Sequence, residues 1–527
     1  MAMIVVPNPT TGDSPHSVAG SVSKGTLSGV FANLIRFGTR LVLVPVLISH
    51  LGLGGYGIWA TLLVIASYLR FGSAGIKTCF QKYVAEAYAT GNFDLVNQLL
   101  TTGTAIFVGI SGLFLIPAAF FAPVLARWIG IPQQYVSSSS AAIMLLAIGY
   151  LVSNAMAAFE SAVLGAHRVY LMQYASVALM FFELGWSIVI LHWGYGITTL
   201  ALGMAIGETV YAFAGLIVAK RVTPQILLQR KYLAKSVLGE LVRFTGSYQL
   251  LNIMEIFYFS VVPILLLREL GPIAAGVFAL CDRVTRFATI GLEASLVPLL
   301  SGSTTVFAAG SPTRMRAFLA KTFKLSLVTT LLPLAVVSAF GPSALLAWTG
   351  QRNDLFRLGI FLVALSALFR SLSKVGMVLY RSTGAASMDS GAQLLRIVTL
   401  SIVVILSWYW GFYGAISGLV LAELAGMIFM LNAVFRRVGC FSLGRLLSEA
   451  AHLSISVIAI VAVGEAVKRI PLPFANGSRQ FALVQLGFIS LVSLSLVWPS
   501  FVLTQYFSPK ERTQLLEMLL LRRRATT

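Results

Sequence analysis

The chain has 527 residues, 57% of them hydrophobic and only 11% charged, with a mean hydropathy of +0.87. A soluble domain carries roughly 25% charged residues, and the deficit here runs the whole length, which excludes a soluble enzyme on a single anchor. The excess of 38 Lys and Arg over 18 Asp and Glu would suggest nucleic acid in a soluble protein. In an apolar chain it is instead the Lys/Arg surplus of inner loops, so no nucleic-acid partner is expected.

In chain order, Met1 to Ser23 is polar and lacks an apolar core preceded by charge. It reads as a cytoplasmic tail (1–23), not a cleavable signal. Apolar windows of about 20 residues then place about fourteen spans. They begin near Thr26, Gly57, Leu99, Ser138, Tyr170, Gly196, Phe244, Pro272, Phe323, Leu355, Leu394, Gly411, Leu453 and Phe481. The first six form an N-terminal lobe (24–221), followed by a basic cytoplasmic linker (222–243). Six more form a second lobe (244–437), and helices 13 and 14 follow (438–507). The last stretch (508–527) is a basic amphipathic tail. Its leucines and closing Arg522-Arg523-Arg524 suit the inner leaflet, held by anionic lipid. The loops are short, with no soluble domain between spans. The expected fold is an all-α polytopic membrane protein of about 14 transmembrane helices, two pseudo-symmetric six-helix lobes plus two C-terminal helices.

Orientation follows from the basic residues. With the N-terminus inside, the inner segments hold 24 of the 38 Lys and Arg and the outer loops 7, which puts both termini in the cytoplasm of a multi-pass inner (cytoplasmic) membrane protein. Cys79, Cys281 and Cys440 are odd in number and far apart, so no disulfide framework is expected. The five histidines show no metal spacing and there is no P-loop. No metal, no cofactor and no ATP hydrolysis are expected.

LGLGGYGIWA (Leu51 to Ala60) matches LGPIAAGVFA (Leu270 to Ala279), with Leu, Gly, Gly and Ala at identical offsets and a proline, Pro45 or Pro263, in each preceding helix. Both copies join an odd span to the next even one on the outer side. The same direction of travel makes this a parallel repeat about an axis along the membrane normal.

The span count, the two six-span lobes and the stretch LGLGGYGIWATLLVIASYLRFGSAGIKTCFQKYVAEAYATGN (Leu51 to Asn92) resemble the Wzx-type oligosaccharide flippases of the multidrug/oligosaccharidyl-lipid/polysaccharide exporter superfamily. The resemblance covers nearly the whole chain and is clearest from Ser28 to Asn92. The sequence departs from the family at Ser73-Ala74-Gly75, where an aspartate is often found. The resemblance implies alternating-access transport of an undecaprenyl-diphosphate-linked oligosaccharide from the inner to the outer leaflet, for surface polysaccharide synthesis. It implies a lipid-linked oligosaccharide substrate, a membrane-lipid environment and polysaccharide-assembly partners.

Seven basic residues fall within apolar segments: Arg36, Arg40, Arg70, Arg283, Arg286, Arg370 and Arg396. Asn33, Arg36 and Arg40 share one face of span one. At about 1.5 Å per residue from Thr26, Arg36 sits roughly 15 Å deep. Arg283 and Arg286 are i, i+3 neighbours in span eight. Charge at the bilayer centre costs at least about 2.5–3.5 kcal/mol per residue, so these groups need a compensating environment. An aqueous cavity receiving phosphate is one, since the arginine fork binds phosphate oxygens bidentately. Pairing with acids such as Asp282, Glu293 and Glu255 is the other. Asn33, Arg36, Arg40, Arg283, Arg286, Arg70 and Arg370 are the candidate diphosphate-binding residues. Glu255, Asp282 and Glu293 are candidate coupling or counter-ion groups. Arg70 and Arg370 lie near inner ends, where snorkelling to headgroups explains them as well; Arg396 reads as interfacial.

A multidrug exporter of the same superfamily would move organic cations and would be expected to line its lobes with acids, which the midplane arginines disfavour. A membrane polysaccharide polymerase or ligase would need a sizeable outer loop, and the longest outer segments, about 122–137 and 468–479, are short. No enzyme activity is expected.

Overall fold

The computed structural model describes residues 15–71, 83–84, 86–87, 90–166, 168–308, 312–382, 387–438, 443–468, 479–503 and 506, with the side chains of most of them. Cys79, Cys440, Ser73 to Gly75, the first fourteen residues and the amphipathic tail lie outside the described residues. Among these residues there is no strand. In lipid every backbone polar group must find its partner within the chain, so long apolar runs become helices. They are α1 (Pro15–Phe71), α2 (Phe93–Trp128), α3 (Gln133–Ala155), α4 (Ala157–Gly165), α5 (Val169–His192) and α6 (Ile197–Val222). A 3-10 turn, Arg230–Tyr232, precedes α7 (Lys235–Ala308), α8 (Pro312–Thr349), α9 (Leu355–Ser382), α10 (Ser387–Val438), α11 (Leu443–Lys468) and α12 (Arg479–Leu503).

Three helices are broken by a glycine outside helical geometry: Gly52 in α1 (φ 70°), Gly271 in α7 (φ 84°) and Gly411 in α10 (φ 57°). Only glycine adopts such a φ without steric cost. At Gly411 the chain doubles back, because Gly414 lies against the Leu406 carbonyl and Gly418 against Val403. Ten described helical stretches are long and apolar enough to cross a membrane. Three of them (Phe31–Tyr68, Ile253–Ile290 and Met388–Val434) are these broken pairs. The windows beginning near Thr26 and Gly57, Phe244 and Pro272, and Leu394 and Gly411 are their halves. The chain is thus an all-helical, multi-pass membrane protein.

The internal repeat reaches well beyond the ten residues that reveal it in the sequence. Positive-φ glycines recur as Gly52 and Gly271, Gly130 and Gly350, and Gly194 and Gly411, at separations of 219, 220 and 217 residues. Helix starts keep the same period: Phe93 and Pro312 are 219 apart, Val169 and Ser387 are 218 apart.

The chain forms two compact units, Met1–Gly276 and Val277–Thr527. In the first, α1 packs on α3 and α5, α3 on α2 and α6, and α5 on α6. Lipid tails are as apolar as the helices, so association depends on close approach through small residues. Gly149 meets the backbone of Ala205, and Gly203 lies under the Trp186 indole, whose Nε1 donates to the Thr199 carbonyl at 2.9 Å. Any side chain at 203 would strike that ring. The residues after α6 dock on α2: Asn97 donates to the Gln225 carbonyl at 3.2 Å and accepts from Leu227 N at 2.8 Å.

The two glycine turns of α1 and α7 meet within this unit. A Cβ on Gly57 would run into the Pro272 carbonyl and Gly276 N, and a Cβ on Gly276 into the Leu53 carbonyl. Under the repeat, Gly57 corresponds to Gly276 and Leu53 to Pro272. Each glycine therefore faces the carbonyl its partner's copy also presents, as a local two-fold axis requires. Such backbone approaches place Cα–H groups against carbonyl oxygens, a weak attraction of about 0.5–1 kcal/mol each.

In the second unit α8 is central, packing on α9, α11 and α12, while α9 packs on α10. Phe323, Leu327, Leu372, Leu431, Leu453 and Ile460 form one core there. Gly341 on Ile360, Gly376 on Met430 and Gly464 on Phe340 again set the close contacts.

Candidate functional site

In the first unit, α1 carries Asn33, Arg36 and Arg40, all exposed. At about 100° per residue the three fall within a sector of about 60°. Ala32, Val44 and Leu47, which border or share that sector, are buried. The exposed apolar residues Phe31, Leu34 and Val42 lie on the opposite face. The arginine stripe is therefore on the packed side of the helix, away from the apolar surface that suits lipid, and it borders open space there. Arg36 Nη1 donates to Asn33 Oδ1 at 3.1 Å, which holds the guanidinium along the helix face. Counted from the turn at Gly52, Arg40 lies about 18 Å and Arg36 about 24 Å along the helix, within a hydrocarbon about 30 Å thick.

Glu255 of α7 shows the same arrangement. It is exposed, yet Val262 and Leu266 on its face are buried, while the exposed Ile253 and Phe257 lie opposite. The side chains of Tyr248 and Asn252, on the same stripe in the sequence, lie outside the described set, as does that of Arg70 in the last turns of α1.

In the second unit, the continuation of α7 presents Asp282, Arg283, Arg286 and Glu293 on its one open side, with Val284, Thr285 and Leu292 buried behind. Arg286 Nε donates to Asp282 Oδ2 at 2.6 Å, and the Arg286 side chain is still about half exposed. Glu293 accepts from Lys374 of α9 at 2.9 Å. Four ionisable groups along one open stripe are incompatible with a lipid-facing surface. They suit a polar space.

Arg370 sits elsewhere. Its Nε donates to Glu423 Oε1 at 2.6 Å, and Glu423, 1% exposed, also faces Arg396 Nε at 3.0 Å. Arg396 donates further to Gln393 at 3.0 Å and Ser373 at 2.8 Å, and packs over Gly426. Arg396 is thus buried within α10, and the interfacial reading is corrected: α10 starts at Ser387, about two turns before the apolar window at Leu394, and carries Arg396 inward. Glu423 was missed by sequence reasoning. Its signal was there, a single acid inside the apolar run LVLAELAGM, which in a membrane helix demands a cationic partner.

Asn33 and Arg36 are thus joined, as are Arg286 with Asp282, Glu293 with Lys374, and Arg370 with Glu423. Among the described residues no group of three or more His, Cys, Asp or Glu is placed to hold a metal ion.

No protein-family model matches the sequence, and no curated protein matches it. Solved structures do. An inward-facing multidrug-resistance MATE family transporter of the MOP superfamily aligns with a TM-score of 0.69 at 12% identity, over 76% of this chain and 94% of that one. The lipid II flippase MurJ, in an inward closed conformation, aligns with a TM-score of 0.68 at 12% identity, over 90% of this chain and 99% of that one. A variant of the Vibrio cholerae MATE transporter VcmN gives 0.56 at 17% identity, over 80% and 98%. The chain has the fold of the MOP-superfamily transporters.

Proposed function

We propose that this chain carries an anionic polyprenyl-diphosphate-linked oligosaccharide from the inner to the outer leaflet of the cytoplasmic membrane by alternating access, as a Wzx-type flippase for surface polysaccharide synthesis. The observation that carries the reading is the stripe Asn33, Arg36 and Arg40: exposed cations on the packed face of a membrane helix, opposite its exposed apolar residues. Guanidinium groups stay charged at any accessible pH and bind phosphate oxygens in a fork. In a partly dewatered space they lower the cost of bringing a diphosphate into the bilayer. The exposed half of Arg286, with Arg283 beside it, offers a second set of donors. Arg370, held by the buried Glu423, serves the frame of the second unit instead.

Two of the similar structures are MATE transporters, one of them a multidrug-resistance transporter, and Glu255 on the inward face of α7 is a group that a cation exporter would use. Against that reading, the described inward stripe of α1 carries two arginines.

The purified chain in liposomes, given a fluorescent diphosphate-linked oligosaccharide lipid and, separately, a cationic dye, decides between the two. Protein-dependent movement of the glycan lipid with no effect on the dye is expected. Dye transport without glycan movement would establish the exporter.

A further inference from the structure

At one end of the second unit the C-terminal part of α8, the start of α9, the turn of α10 and the end of α11 enclose a half-open cavity of about 630 Å³. Its polar lining is Ser338, Ser343, Asp354, Arg357, Tyr413 and Glu465. Pro342 has no N–H to give, so the Ser338 carbonyl four residues earlier loses its helical partner, and Ser338 Oγ turns back to the Leu334 carbonyl at 2.7 Å. Tyr413 Oη donates to the Asp354 carbonyl at 3.5 Å, tying the α10 turn to the start of α9. Among the described residues the cavity therefore gathers two carboxylates and a guanidinium.

The volume is that of a small-molecule site, far more than one bare cation fills. Carboxylates outnumber the cation among the described lining residues, which favours an ammonium; Arg357 beside them supplies a partner for an anion on the same ligand. One turn further into the helix, Leu358 and Phe361 also line the cavity and are 44% and 49% exposed. Polar groups at helix ends with open apolar side chains a turn deeper are the arrangement of a membrane interface, where a ligand has a headgroup and a chain.

We infer that this cavity is a binding site for a zwitterionic aminophospholipid of the ethanolamine class. Its ammonium is received by Asp354 and Glu465, its phosphate by Arg357, and the first part of its acyl chains lies along Leu358 and Phe361. The assignment does not depend on the transported substrate.

The test is lipid retention by the full-length chain, delipidated in detergent and titrated with dioleoyl phosphatidylethanolamine, dioleoyl phosphatidylglycerol or water-soluble phosphoethanolamine, with bound lipid read by native mass spectrometry. The ethanolamine lipid is expected to be retained about tenfold better than the glycerol lipid. Asp354→Asn with Glu465→Gln should bring the two to parity. Ser343→Trp, which fills the cavity and leaves the charges in place, should abolish retention, and it serves if the double variant folds poorly. Equal retention of both lipids by the unaltered chain, or a preference that survives Ser343→Trp, would overturn the site. Phosphoethanolamine binding as tightly as the whole lipid would overturn the lipid as its ligand.

Discussion

Arg36 and Glu255 occupy the same place in the two copies of the repeat: each stands sixteen residues before a positive-φ glycine, Gly52 or Gly271, and each is exposed on the packed face of its helix. Three residues before each is an asparagine, Asn33 or Asn252. The pseudo-symmetric frame thus carries opposite charges at equivalent positions, and the acid is the place to look for coupling to a cation. The proposed cargo is anionic and moves toward the positive side, which yields about 2.3 kcal/mol per charge per 100 mV. Potential alone should therefore drive it. In liposomes with a valinomycin-set potential, net movement is expected without any proton or sodium gradient, and Glu255→Gln should change its rate only several-fold. Strict dependence on such a gradient, lost together with transport in Glu255→Gln, would make Glu255 the coupling site.

The contact of Gly57 with the Pro272 carbonyl, and of Gly276 with the Leu53 carbonyl, leaves no room for a methyl group. Overpacking of this kind costs typically 1–3 kcal/mol, and separating the two turns relieves it. Gly57→Ala or Gly276→Ala should therefore favour conformers with the turns apart, by roughly tenfold for a penalty near 1.4 kcal/mol. Distances between spin labels beyond the two turns read this directly: a longer-distance population should grow in either variant. An unchanged distribution in a stably folded Gly57→Ala chain would show that the turns do not part.

Two arginines on the single buried carboxylate of Glu423 make the three residues unequal. Removing Arg370 or Arg396 still leaves a balanced ion pair. Removing Glu423 leaves the buried Arg396 and the half-buried Arg370 facing each other, and breaking a buried pair in this way costs about 3–5 kcal/mol. Folded yield and thermal stability in detergent should fall sharply for Glu423→Ala and much less for Arg370→Ala. Comparable losses from both would contradict the charge balance.

Cys281 is fully buried, so in the native protein it should resist thiol reagents. Cys79, between Lys77 and Lys82, and Cys440 belong to segments whose basic flanks predict the inner side. An impermeant maleimide should therefore label neither in intact cells and both after permeabilisation, in chains retaining one cysteine each. Rapid labelling of Cys79 or Cys440 in intact cells would reverse the orientation.

What the sequence made legible was local. Apolar length gives the helices, because a backbone in lipid has no other partner, and the shared face of Asn33, Arg36 and Arg40 follows from helical period alone. The repeat showed itself at Gly52 and Gly271, where backbone conformation demands glycine, but elsewhere its period lies in helix lengths and not in residue identity. Window hydropathy failed where helices run past their apolar stretch: α1 starts at Pro15 and α10 at Ser387, which carried Arg396 from an interface to the interior. The pairing of Glu423 with Arg370, 53 residues away, depends on how α9 packs on α10. No local pattern encodes that.

Arg36 and Arg40 are the residues on which the proposed function turns. The decisive measurement is the rate of diphosphate-linked oligosaccharide movement in liposomes at matched amounts of folded protein. Hydrogen bonds to charged groups contribute roughly 1.5–3 kcal/mol each, so Arg36→Ala or Arg40→Ala should slow transport about tenfold or more, with normal abundance and stability. Arg36→Lys should recover only part of the rate, since an ammonium lacks the fork. Wild-type transport by a well-folded chain carrying both alanines would contradict the diphosphate-binding role outright.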